Sequence, residues 1–553
     1  MRNTWQIKNI LLGVILTLIA QIGSAQETVP LIPKPVKAVK QHSVFNLDKH
    51  TTINAETGNS AKAVYYLQTE LLKHKQLPLS VSSQKTNSVI KFSIVKPAEL
   101  KNGDYQLLMS ANLIEIKAAN EENLFLGAVS LMQLIRETPT VSQKIALNCW
   151  NITDKAFYNW RGFMLDESRH FFGKQKVKEI LDWMAFYKLN KFHWHLTDQP
   201  GWRIEIKQYP RLTLVGGIGN NTNPEAPAQY YTQEDIKEII RYAADRFIEV
   251  IPEIDMPGHA TAANLAYPEF SGGGSPNYPE FTFNPGKEET YQYLTNILRE
   301  VDALFPSQMI HLGADEVHFG NQNWNTDPSV QKLMKDKKLT DLKEVENYFI
   351  ERMADSVALM NNEVLAWDEV VASKLSPKNT TVYWWRHDKP DVLKDALNKG
   401  FKVVLCPRLP LYFDFVQDST HRIGRKWAGA FVPLESVYRF PSSEIINLPK
   451  EKDQIRGMQV NLWTETVTSV QQLDYLMFPR IAALAESAWT KPSEKEFTEF
   501  QQRLKSHLKL YAAAGLYYFN PFHPKNSAEF LNPAQREKLP NNEDLTKQEQ
   551  QKK

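Results

Sequence analysis

Eight short runs rich in β-branched and aromatic residues, separated by segments of helical period, constrain this chain more than anything else in it. The runs are Trp160–Leu165, Lys191–Leu196, Glu249–Ile254, Met309–Leu312, Val364–Trp367, Thr381–Trp385, Lys402–Leu405 and Gly457–Trp463. Between most of them lie helix-period segments, Lys174–Tyr187, Gln233–Arg246, Glu288–Leu304, Leu342–Met360 and Lys389–Lys399. One more, Leu473–Trp489, follows the last run. Strands that alternate with helices pair in parallel, and eight is the count that closes a (β/α)8 TIM barrel. A doubly wound open sheet is the competing arrangement, but no glycine-rich phosphate turn follows the first strand.

The barrel is expected over residues 156–515. A smaller α/β accessory domain precedes it over 26–155, with strand-period runs at Val89–Ile94, Tyr105–Met109 and Leu113–Ala118 and an amphipathic helix near Asn123–Arg136. An extension over 516–553 follows, charged and poor in apolar residues from Gln535 onward, where a frayed tail is expected. At the other end, Arg2 and Lys8 precede an apolar run from Ile10 to Ala20, and Ser24-Ala25 supply small residues before Gln26. That is the pattern of a signal peptide over 1–25, too short to span a bilayer; a membrane-anchoring helix is the competing reading. No other segment has about 18 uninterrupted apolar residues. The mature chain is therefore expected to lack a membrane span and to be exported, periplasmic or secreted. With 65 Lys and Arg against 63 Asp and Glu, it has no basic excess for nucleic acid. Its two cysteines exclude a disulfide scaffold or a cysteine-rich metal module.

Barrel enzymes place their chemistry at the C-terminal strand ends. Read along the runs, those ends offer Arg161 and Asp166, then Arg169 and His170; His193, His195 and Asp198; Glu253, Asp255 and His259; and Asp315 with Glu316. The later ends offer Trp367, Asp368 and Glu369; Trp384, Trp385 and Arg386; Tyr412 and Asp414; and Trp463 with Glu465. Carboxylates and arginine bond sugar hydroxyls, and aromatic faces pack on the apolar faces of a pyranose. For Asp166, Glu253, Asp255, Asp368 and Glu369 a structural role, partnering Arg and backbone N–H groups, is the expected one.

The words themselves also match a known pattern. Trp160-Arg161-Gly162-Phe163-Met164-Leu165-Asp166, Ser168-Arg169-His170-Phe171, Phe192-His193-Trp194-His195-Leu196-Thr197-Asp198 and Pro252-Glu253-Ile254-Asp255-Met256-Pro257-Gly258-His259 come in order. His311-Leu312-Gly313-Ala314-Asp315-Glu316-Val317, Leu462-Trp463-Thr464-Glu465 and Pro479-Arg480 follow. This series resembles family 20 glycoside hydrolases, the β-N-acetylhexosaminidases. The early domain resembles the family's accessory domain more loosely, with Glu121-Glu122-Asn123 where a glycine-containing turn is usual.

The resemblance implies a retaining, exo-acting hydrolase without cofactor or metal, acting on a glycan or oligosaccharide that ends in β-linked N-acetylhexosamine. N-acetylglucosamine is the expected sugar, with N-acetylgalactosamine as a second candidate. The family is one of the substrate-assisted exceptions among glycosidases, in which the sugar's own 2-acetamido carbonyl is the nucleophile and an oxazolinium forms. By motif, Glu316 is the general acid/base, Asp315 orients the acetamido group and Tyr412 bonds its carbonyl. Trp367, Trp385 and Trp463 are walls, and Arg161, Asp414 and Glu465 bind hydroxyls. Asp198 and His259 support the acid. Adjacent residues on a straight strand face opposite ways, so Asp315 and Glu316 require a bend at the end of the fourth strand. Ala314, where a second glycine is common, should restrict that turn. Two other readings compete. His193, His195, His259 and His311 with nearby carboxylates could make a metal-dependent barrel hydrolase. The tryptophan walls alone could serve a non-catalytic glycan-binding barrel.

Overall fold

The computed structural model describes residues 28–530, apart from short segments at 56–57, 59, 83–87, 101–102, 422–423, 427–428 and 449–453. The leader reading for 1–25 and the charged end beyond residue 530 lie outside the described residues.

Each of the eight runs is a strand: β1 (Trp160–Asp166), β2 (Lys191–His195), β3 (Glu249–Met256), β4 (Met309–Gly313), β5 (Glu363–Trp367), β6 (Thr380–Trp384), β7 (Lys402–Leu405) and β8 (Ile455–Leu462). They close a barrel in chain order, and β8 returns to β1 in parallel from Gly457 opposite Trp160 to Leu462 opposite Leu165. Every residue of β1 is buried, because a strand walled by helices outside and by the barrel interior inside has no solvent face. Around the strands run α1 (Gly173–Phe186), α2 (Gln233–Ala244), α3 (Glu288–Leu304), α4 (Leu342–Leu359) and α5 (Pro390–Lys399). The final segment, expected as one helix, is two, α6 (Val470–Met477) and α7 (Arg480–Trp489). The break falls at Pro479, whose missing N–H and ring do not fit a helix interior. No helix among the described residues is long and apolar enough to cross a membrane.

The accessory domain is an eight-stranded mixed sheet, ordered from Lys37–Leu47 through Lys144–Asp154, Tyr105–Met109, Leu113–Ala118, Val89–Ile94 and Thr52–Ala55 to Ser80–Val81, with Thr140–Val141 beside Lys144–Asp154. Helices Ala61–Lys75 and Glu121–Glu137 pack on each other beside it. Glu121-Glu122-Asn123 is not a turn but the first turn of the second helix. The Asn120 side chain accepts from Asn123 N, and the two acids sit where the helix dipole favours them.

One carboxylate ties the two domains. Asp154 Oδ2 accepts from the Tyr105 hydroxyl at 2.7 Å and from Lys188 Nζ of the barrel at 3.1 Å, and its Oδ1 accepts from the Trp489 indole at 2.9 Å. The Gln133 amide donates to the carbonyls of Ile32 and Phe186, so the accessory helix docks on the end of α1. One hydrophobic core runs through both domains. Beyond a last helix, Phe497–Ala513, the start of the expected extension folds back on the barrel. Phe519 N donates to Phe478 O, and the Tyr475 hydroxyl to Ser527 O.

Candidate active site

β4 ends at Gly313, and the chain then turns through Ala314 (φ 73°) and Glu316 (φ 54°), both left-handed. This is the bend that lets Asp315 and Glu316, adjacent in sequence, reach the same imidazole. His259 Nε2 lies 3.8 Å from an oxygen of each. Gly313 is itself left-handed (φ 66°), and a Cβ there would stand 1.8 Å from Asp255 Oδ1, so only glycine fits. The left-handed Ala314 stores about 1–2 kcal/mol of strain in a turn whose shape matters to function. Burial pushes Asp315 well above the ordinary carboxylate range and the Asp255 carboxylate adds to it. Glu316 is also raised by burial, with Glu369 adding to it. The His259 imidazole stands within reach of this adjacent pair. Burial alone would lower His259, but Asp198 and Asp315 overcome it and raise it to about 9. Asp255, Asp315 and Glu316 are all raised chiefly by burial and sit beside one another, so their carboxyl groups do not all ionise together. Glu316 is the more open of the adjacent pair, its side chain 33% exposed against 13% for Asp315.

Asp198 anchors this group. Its Oδ1 lies 3.0 Å from His259 Nδ1, and its Oδ2 lies 3.0 Å from His195 Nε2 and 2.6 Å from an Arg169 nitrogen. Arg169 also reaches Asp166 at 3.2 Å and lies 5.0 Å from the Trp463 ring. Arg169, not Arg161, is therefore the arginine of the barrel mouth. Arg161 is the second residue of β1, opposite Met458 near the start of β8, and its guanidinium donates to the carbonyls of Lys188, Tyr158 and Asn159 under Trp489. It sits at the N-terminal end of the barrel strands, away from the mouth, with its donors spent on backbone carbonyls. Arg161→Ala is expected to lower stability by about 2–4 kcal/mol, since it leaves buried carbonyls unpaired, while KM stays unchanged. Arg169→Ala should do the reverse, raising KM. Paired thermal melts and steady-state kinetics separate the two.

The aromatic residues form one connected wall. Trp367 lies 5.8 Å from Trp463, Trp463 6.0 Å from Tyr412, and Tyr412 6.5 Å from Trp385 in a stacked pair. Hydrogen bonds to acids hold two of the indoles: Trp367 Nε1 donates to Glu253 at 2.9 Å and Trp385 Nε1 to Glu369 at 3.0 Å. Trp384 points elsewhere, its indole 3.4 Å from Lys389 O. Burial raises the Tyr412 phenol well above its ordinary value, so its hydroxyl is a donor at any working pH.

Beneath the wall, His193, His195 and His311 surround Glu253, all fully buried. Both His195 nitrogens are engaged, by Glu253 at 2.6 Å and by Asp198. His193, Glu253 and His311 lie close enough to share an ion, but the rings of Trp367 and Tyr383 pack against both histidines. A catalytic metal needs a position open to substrate, and this cluster faces ring surfaces instead.

Asp414 and Glu465 lie across the mouth from the acid pair's own strand, after β7 and β8. Asp414 is 1% exposed, and neither of its carboxylate oxygens has a hydrogen-bond donor among the described residues. The same holds for Glu465 Oε2, while Asp315 Oδ1, His259 Nε2 and Trp463 Nε1 also lack hydrogen-bond partners among those residues. Buried polar atoms are rarely left so, and these six share one aromatic-walled mouth. That is the arrangement suited to a ligand carrying hydroxyls and an amide. Three residues of the site went unassigned in the sequence reading: Arg169, visible there as a strand-end arginine; Glu369, expected as a structural partner; and Arg425. Arg425 pairs with Glu465 and stands 3.3 Å from Asp414, and no local sequence signal marks it.

Comparison with known proteins gives the same architecture. Residues 28–155 match the model of glycosyl hydrolase family 20, domain 2, and residues 158–492 match that of the family 20 catalytic domain. A beta-hexosaminidase of Porphyromonas gingivalis is 32% identical over 531 residues, covering 92% of this chain and 67% of the relative. One from Vibrio furnissii is 33% identical over 480 residues, covering 83% and 76%. Among solved structures, the GH20 exo beta-N-acetylglucosaminidase of Vibrio harveyi in complex with N-acetylglucosamine superposes with a TM-score of 0.82 at 32% identity, covering 90% of this chain and 79% of that one.

Proposed function

The chain belongs to glycosyl hydrolase family 20 and is a glycoside hydrolase of the β-N-acetylhexosaminidase kind, and from that premise we propose that it releases terminal, non-reducing N-acetylglucosamine by substrate-assisted catalysis. The observation that carries this reading is the turn after β4, where two adjacent carboxyl groups meet at the mouth within reach of one imidazolium.

In this mechanism the acetamido carbonyl oxygen attacks C1 of its own sugar while the glycosidic oxygen leaves with the proton of Glu316. A cyclic oxazolinium results. Asp315 accepts the acetamido N–H and balances the positive charge that grows on nitrogen. Tyr412 donates to the acetamido carbonyl and aims it at C1, and Trp367, Trp385 and Trp463 hold the group and exclude water. The Glu316 carboxylate then takes a proton from water, whose oxygen adds to C1 from the side the leaving group vacated, so the anomeric configuration is retained. Asp414, Glu465 and Arg169 bond the sugar's hydroxyls. N-acetylgalactosamine, differing at one hydroxyl, is a second substrate under this reading. The apolar leader from Arg2 to Ala25 supports export of the chain.

The test compares p-nitrophenol release from the β-N-acetylglucosaminide and from the plain β-glucoside, with and without a thiazoline mimic of the oxazolinium, and with chelator. Turnover confined to the acetamido sugar, blocked by the mimic and indifferent to chelator, is expected. Equal turnover of both sugars would require a carboxylate nucleophile instead, loss with chelator a metal, and binding without turnover a lectin-like barrel.

A further inference from the structure

Among the groups at the mouth, Arg425 has no part in the mechanism above, yet the fold goes to some length to place it. The loop after β7 doubles back so that Arg425 N donates to Asp414 O at 3.0 Å and Val416 N to Arg425 O at 3.1 Å. Gly424 precedes it at φ 99°, with so close an approach that a Cβ would lie 2.7 Å from Asp414 O. This fold-back delivers the guanidinium between two carboxylates from different strand ends. One of its nitrogens pairs with Glu465 Oε1, and its Nε stands 3.3 Å from Asp414 Oδ2. Arg169 approaches the same Glu465 oxygen at 4.0 Å from the other side.

We propose that Arg425 is a positioning residue for the end of the sugar remote from the scissile bond. By engaging one oxygen of Glu465 and one of Asp414, it fixes both carboxylates with their other oxygens, Oε2 and Oδ1, turned to the ligand's hydroxyls. Those two oxygens are among the buried atoms without a hydrogen-bond partner in the described residues. A planar, multi-donor guanidinium can hold two carboxylates at once, which a point-charge ammonium does less well. The inference rests on the sugar-binding part of the reading above, and the ligand it concerns is a pyranose whose C4 and C6 hydroxyls lie opposite C1.

Electrostatics follow the same geometry. Burial raises Asp414 to about 7 even though Arg425 and Arg480 oppose it, with Glu465 on the other side of the balance. Glu465 is held below its ordinary value because Arg425 and Arg169 overcome its burial. Removing Arg425 therefore moves Asp414 further up, and the pH below which hydroxyl binding weakens moves up with it.

Kinetics of Arg425→Gln and Arg425→Lys on p-nitrophenyl β-N-acetylglucosaminide, with calorimetric titration of N-acetylglucosamine and thermal melts, test this. For Arg425→Gln, KM and the Kd of N-acetylglucosamine should each rise at least about tenfold, with kcat within about threefold. The acid limb of 1/KM should shift to higher pH. Arg425→Lys should recover the position of that limb but only part of the affinity. Unchanged KM and Kd in Arg425→Gln overturn the proposal, as does a fall confined to kcat or to thermal stability. Wild-type protein that binds N-acetylglucosamine without turnover would sink the hydrolytic reading, while the calorimetric difference would still decide the role of Arg425.

Discussion

Glu316→Gln is expected to lower kcat on N-acetylglucosamine oligosaccharides by about 10²-fold or more, with a smaller loss on p-nitrophenyl substrates. The glycosidic oxygen of an oligosaccharide leaves as a poor anion and needs its proton in the transition state, whereas p-nitrophenolate departs largely unaided. Glutamine keeps the shape of the side chain but has no proton to give and, in the second step, no carboxylate to take one from water. The two classes of substrate therefore separate loss of acid from loss of binding. The pH profile gives a second reading. Burial raises the Glu316 carboxyl, so activity on poor leaving groups falls as rising pH removes that proton. The alkaline limb belonging to this group should be absent from the Gln variant. Equal activity of the two proteins on oligosaccharides would take Glu316 out of the chemistry.

Asp315→Asn should cost about 10²- to 10³-fold in kcat with little change in KM. Its Oδ1 is buried without a hydrogen-bond partner among the described residues. An amide placed there can still accept from the acetamido N–H in the ground state, so binding survives. It cannot balance the charge that appears on nitrogen as the ring closes, and that charge exists only on the way to the oxazolinium. The plain glucoside, lacking the acetamido group, provides the internal control. If Asp315→Asn raised KM and left kcat intact, Asp315 would be a simple binding residue and the nucleophile would have to be sought elsewhere.

The barrel was legible in the sequence because its strands are buried on both faces. Several therefore appear as short apolar blocks between amphipathic helices, as at Phe163–Leu165 and Val403–Leu405. Recurring words around Asp198, His259 and Asp315-Glu316 marked the mouth. The words did not tell which end of a strand a residue occupies. Arg161 and Asp166 share β1 but stand roughly 16 Å apart along it at the usual strand rise, one at each end of the barrel. The bend at Ala314 and Glu316 was demanded by the chemistry, yet neither residue type announces a left-handed backbone. Arg425 was invisible for a different reason. It reaches the mouth through a loop closed by main-chain bonds, which leave no periodicity in the side chains.

The Asp154 junction bears on how this molecule could be cut or recombined. Lys188 is buried at the domain boundary, held below the ordinary lysine range by burial despite Asp154 beside it. A barrel severed near residue 156 would keep that ammonium and the Trp489 indole while losing the one carboxylate that answers both. The front sheet thus behaves as the floor of the catalytic unit rather than as an appendage. A different leading domain placed before this barrel would need to supply an acid at the same place to answer Lys188 and Trp489.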